Sequence, residues 1–246
     1  MIGTLRGEWI KLTSVRSPTW SLVSVGIVTV LLALAIGRGD APGDPPLTPN
    51  SAATGLLGYG IVILMVMAAL QCTGEYRSGT MATSFQIHRG RASVIGAKAV
   101  VICIVAAVTS GVLAFVAVLV SKLVATSGGD LSLVSAQAIR LYWGVPVFAA
   151  AACLMAIGAA NLIRHTAGAV AAVIIWPLLI EGLTTLIPNV GKQVASFLPF
   201  ANGQYFLGSG QGLSFGYNEY GGLVVLVAWT AILYLLGLLS VWKRDV

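Results

Sequence analysis

Long apolar runs broken by short polar segments dominate the chain, and their lengths predict membrane-crossing helices. The runs lie at about residues 20–36, 51–72, 94–124, 142–162, 167–187 and 222–242. A helix needs roughly 17–25 mostly apolar residues to cross a bilayer. The first run is near that lower limit, and the third is long enough to tilt or project beyond the hydrocarbon. Ahead of them, Ile2, Leu5, Trp9 and Leu12 recur at helical spacing while Arg6 and Lys11 fall off that stripe. Residues 1–17 therefore read as a helix lying in the membrane interface. A secretory signal is the competing reading, because Arg6, Lys11 and Arg16 precede an apolar run and Ala33-Leu34-Ala35 resembles a cleavage site. The long basic region and the length of the 20–36 run favour an anchor that is kept.

The polar breaks differ in kind. GRGDAPGDPPLTPN, between the first two runs, is too rich in proline and glycine for a helix. Residues 188–220 read as a loop rich in glycine and aromatics, whose middle forms short helices at the membrane surface. Residues 75–91 (EYRSGTMATSFQIHRGR) carry Glu75, Arg77, His88, Arg89 and Arg91, while the flanking residues 51–72 and 94–120 hold no charge except Lys98. Each charge costs kilocalories in hydrocarbon, so this segment sits in water beside the membrane.

Composition narrows the class further. Hydrophobic residues make up 57% of the chain and charged residues 9%, with a mean hydropathy of +0.92. Soluble domains carry about a quarter charged residues, so this chain cannot cover a water-facing surface. The fold class is all-α integral membrane. The formal net charge is +6, but no basic surface interleaved with aromatics accompanies it, which argues against nucleic acid. The basic residues instead set a topology. With six spans, Arg6, Lys11, Arg16, Arg77, Arg89, Arg91, Lys98, Arg164, Lys243 and Arg244 fall on one face, and Arg38, Lys122, Arg140 and Lys192 on the other. The excess places both termini, the 75–91 segment and the Arg164 turn in the cytoplasm.

Catalytic chemistry has little to build on. There is no phosphate-binding GxxxxGK[ST], no HExxH, no paired-cysteine metal motif and no GxSxG elbow. His88 and His165 stand far apart, both at polar edges, and read as interfacial side chains. Cys72, Cys103 and Cys153 read as small buried hydrophobes. Glu181 is the one carboxylate inside an apolar run, four residues after Pro177 and five after Trp176. Two roles stay open for it: lining a substrate pathway with Trp176 and Pro177, or reaching the outer interface as an ordinary carboxylate.

Three stretches carry a family likeness. GEWIKLTSVRSPTW opens the chain, TGEYRSGTMATSF follows the second run, and NLIRHTAGAVAA joins the fourth to the fifth. In their order and spacing they resemble the permease subunits of ABC-2 type transporters, especially compact actinobacterial ones. The stretch from Met81 to His88 departs from the bulkier, proline-containing one of many relatives. The resemblance implies a connecting helix at the N-terminus and a cytoplasmic coupling helix between spans two and three, within 75–91. Glu75, Tyr76, Arg77, Gly79, Thr80 and Phe85 would make the contacts to an ATP-binding subunit. It also implies short outer helices within 188–220, and pairing with a second copy or a related permease. ATP and magnesium would be bound by the partner ATPase, with no cofactor on this chain. The implied function is export of a hydrophobic or amphiphilic substrate across the plasma membrane.

Two other classes compete. A membrane-embedded enzyme would need clustered His, Asp, Glu or Cys at one depth, and Glu181 stands nearly alone. A secondary carrier or channel independent of ATP would gain support from internal duplication, and none is evident between residues 1–124 and 125–246.

Overall fold

The apolar runs become helices in a computed structural model, which describes residues 2–40, 46–79, 91–125, 131–188, 190–209 and 212–243. Helix α1 is Ile2–Ser14 and α2 is Arg16–Arg38. A single turn, α3 (Pro49–Ala52), follows; Thr48 and Ser51 cap it reciprocally. Next come α4 (Gly55–Ser78), α5 (Arg91–Val124), α6 (Ala136–Ile163) and α7 (Thr166–Thr184). Two short helices, α8 (Gly191–Ala195) and α9 (Pro199–Phe206), precede α10 (Glu219–Lys243). No strand occurs among the described residues. Among the described residues six helices, α2, α4, α5, α6, α7 and α10, are long and apolar enough to span a membrane, as expected of a multi-pass membrane protein.

The spans differ in how much of their surface they bury. Helices α4 and α6 are mostly buried and form the centre, while α2, α7 and α10 keep most of their apolar side chains on the outside. Helix α6 packs against α4, α5, α7 and α10, which makes it the axis of the bundle. Small residues let these helices approach closely. A Cβ on Gly158 of α6 would fall 2.4 Å from the Leu233 carbonyl oxygen of α10, and one on Gly237 would fall 2.7 Å from that of Gly158. Helices α2 and α5 are joined where the Ser121 hydroxyl donates to the Ala33 carbonyl at 2.9 Å.

Connections gather at two ends. The terminal end holds α1, the close of α4, the start of α5, the α6–α7 turn and the close of α10. The opposite end, here the loop end, holds α3, α8 and α9. Helix α4 runs past the expected limit at residue 72 to Ser78, so Glu75, Tyr76 and Arg77 are its last turn. It stops at Gly79, whose φ of +68° suits a residue without a Cβ. The α6–α7 turn is equally local: Arg164 takes φ 56°, and the His165 imidazole accepts from the Gly168 backbone N–H to start α7. Within α7, Pro177 lies in a wider π-type turn, Trp176–Ile180, which absorbs the hydrogen bond that proline cannot donate.

Candidate functional site

Four charged side chains from three elements meet at the terminal end. Helical spacing puts Glu8 and Lys11 on one face of α1. The last turn of α4 supplies Glu75 and the second turn of α5 supplies Lys98. They close a ring. Lys98 Nζ donates to Glu8 Oε2 at 2.6 Å and to Glu75 Oε1 at 2.8 Å. Lys11 Nζ donates to Glu8 Oε1 at 2.8 Å and to Glu75 Oε1 at 3.0 Å. Glu8, Glu75 and Lys98 are buried, and the ring opens to the surface through Lys11. Glu75 Oε2 is buried and has no hydrogen-bond partner among the described residues.

Two positive and two negative charges let the ring sit at a depth where a lone charge could not. Burial pushes the Glu8 carboxyl up, but Lys98 and Lys11 more than reverse this and leave it below the usual carboxylate range. Burial pushes the Lys11 ammonium down, and its hydrogen bonds to Glu8 and Glu75 outweigh that, so it ends above the usual lysine range. The ring holds α1 against the ends of α4 and α5. Pulling them apart would strand buried charges at a cost of about 3–5 kcal/mol.

A second network begins one residue later. Tyr76 donates its hydroxyl to Asn161 Oδ1 of α6 at 3.1 Å, and the Arg164 guanidinium lies 5.5 Å from its ring centroid. Arg164 also donates to the Ser240 carbonyl of α10 at 2.8 Å. Adjacent residues at the close of α4 thus face different neighbours, Glu75 towards α1 and α5, Tyr76 towards α6 and the Arg164 turn. Of the other expected coupling residues, Arg77 and Gly79 are exposed, while Thr80 and Phe85 lie outside the described residues.

Trp176 and Pro177 lie just past the middle of α7, and Glu181 is about one turn nearer the loop end. Glu181 is buried and each of its oxygens is used. Oε1 accepts from the Trp176 indole N–H at 3.2 Å and from the Phe200 backbone N–H at 3.1 Å; Oε2 accepts from the Ala201 backbone N–H at 2.8 Å. The carboxylate caps the N-terminus of α9, where unpaired N–H groups and the helix dipole favour a negative charge. Its role in the fold is to seat α9 on α7.

The sequence alone sets Lys98 apart as the only charge in residues 94–120 but does not name its partners, and Glu8 carries no pattern of its own that singles it out. The signal available was the Glu8–Lys11 spacing on one helical face, together with the rule that a charge within an apolar run needs an opposite one. Among the described residues, no group of three or more His, Cys, Asp or Glu is placed to hold a metal ion. Compared with models of known protein families and with curated protein sequences, the chain matches none.

Proposed function

We propose that this chain is the membrane-spanning permease subunit of an ATP-binding cassette exporter, worked by a separate ATPase. On this reading the terminal end faces the cytoplasm, the membrane is the plasma membrane, and two permease copies, or this one and a relative, enclose the route. The passenger is hydrophobic or amphiphilic, and the chain itself catalyses nothing. The observation that carries the reading is the charge ring, which ties α1 and the ends of α4 and α5 into one unit beside residues 75–91. A push on that segment would move α1, α4 and α5 together. The Tyr76–Asn161 and Arg164–Ser240 contacts would carry it on to α6 and α10. A bundle with two discrete packings, each favoured by one nucleotide state of the partner, would then alternate its access.

Co-purification from native membranes tests this. An ATP-binding subunit is expected in the complex. Arg77→Glu, at an exposed position, should keep the fold and weaken that association. Persistence of both association and transport in a chain with Glu75 and Arg77 both charge-reversed would show that the ATPase does not act through the 75–91 segment. Transport by the purified chain in ATPase-free liposomes would replace the reading with that of a secondary carrier.

A further inference from the structure

We propose that a cleft between α7 and α10 holds the end of a bilayer phospholipid's acyl chain. Both helices pack on the α4–α6 centre but not along one another, which leaves a gap between them. The gap is a cavity of about 120 Å³, floored by Met65, Met155 and Ala159 and walled by Trp176, Trp229 and Leu233. It is comparable in size to the dry apolar cavities of about 150 Å³ that take up benzene-sized molecules. Two of its lining side chains, the Trp176 and Trp229 indoles, meet with ring centroids 6.1 Å apart.

Its chemistry selects hydrocarbon. The lining is methyl, thioether and ring surface, and the two polar hydrogens in it are already committed. Trp176 donates to Glu181, and Trp229 donates to the Phe197 carbonyl at 2.9 Å. No donor or acceptor remains to hold water, so a polar occupant would forfeit its hydrogen bonds. Next to the lining residues Trp176 and Leu233, Ile175 and Ile232 are exposed on the same two helices, on faces that a spanning helix turns to the bilayer.

Depth decides which hydrocarbon. Trp176 lies ten residues beyond Thr166, the start of α7, and Trp229 ten beyond Glu219, the start of α10. At about 1.5 Å per residue each is about 15 Å into its span, half of a hydrocarbon core of about 30 Å. That is the level of acyl-chain ends. A chain entering there would replace helix-to-helix packing that α7 and α10 lack. The proposal is independent of the transport reading.

Photolabelling tests it directly. The full chain would be reconstituted in phosphatidylcholine vesicles containing a phosphatidylcholine with a diazirine near the end of one acyl chain, irradiated, and mapped by peptide mass spectrometry. Adducts are expected on Met65 and Met155, which are buried at 3% and 4% exposure and so out of reach of lipid that only coats the protein. Ala159→Phe fills the floor from a half-buried position and should abolish those adducts while labelling of exposed Ile232 and Leu235 persists. Ala172, one turn before Trp176 on α7, also lines the cleft; Ala172→Leu narrows it from that side and should do the same, so that one misfolded variant does not decide the matter. Labelling of Ile232 and Leu235 without either methionine would overturn the proposal. Methionine adducts unchanged in both filled variants, or equally strong from a diazirine beside the glycerol, would also overturn it.

Discussion

Lys98 sits on a span, is 4% exposed at its side chain, and touches two carboxylates from different helices. Replacing it with methionine keeps most of its volume and leaves Glu8 and Glu75 facing each other with only Lys11 between them. Lys98→Met should destabilise the protein by about 3–5 kcal/mol, read as a lower unfolding midpoint in detergent. The same ring predicts a pH window. Glu8 titrates below its unfolded value of about 4.3, so its contribution is present above that pH and is lost as pH falls through the lower folded value. Lys11 titrates above its unfolded value of about 10.4, so its contribution is full below that pH and is lost as pH rises through the higher folded value. Thermal unfolding followed from acid to alkali should therefore show a plateau bounded at both sides, and Lys98→Met should flatten it. That a lone lysine in an apolar run needs a counter-charge was legible in the sequence. Which residue supplies it was not, since Glu8 is separated from it by 90 positions.

Short elements depend on single contacts more than long ones do. Helix α9 has eight residues, too few to be stable alone, and Glu181 accepts two of the N–H groups that its first turn leaves open. Glu181→Gln keeps the shape but removes the charge and one acceptor oxygen. It should cost about 1–3 kcal/mol, and the Phe200 and Ala201 amides should exchange with deuterium faster than those in the middle of α10. Unchanged exchange at both amides would show that the carboxylate does not seat the helix. The aromatic run around Phe200 made short helices readable in the 188–220 loop. The carboxylate that starts one of them was not readable, because local pattern does not say whether a buried acid faces a route or a backbone.

At the scale of the whole molecule, orientation is the property on which the transport reading turns. With the terminal end in the cytoplasm, a cysteine placed at Ser14 should resist a membrane-impermeant maleimide in intact cells, whereas one at exposed Ser132 should react. Reversed labelling would put the 75–91 segment on the outside, where an ATPase could not reach it. The native cysteines all lie within spans, two of them buried, which keeps the background low. By itself the sequence determined how many helices can cross a membrane and in what order, because the cost of placing charge in hydrocarbon depends only on local composition and length. It also determined the amphipathic helix at the start, through periodicity alone. Only the tertiary structure decided that α1 is clamped to α4 and α5, that Glu181 caps α9, and that α7 and α10 part to leave a cleft. Each of these joins side chains distant in the chain, and such pairings arise from packing rather than from any period that a single stretch can carry.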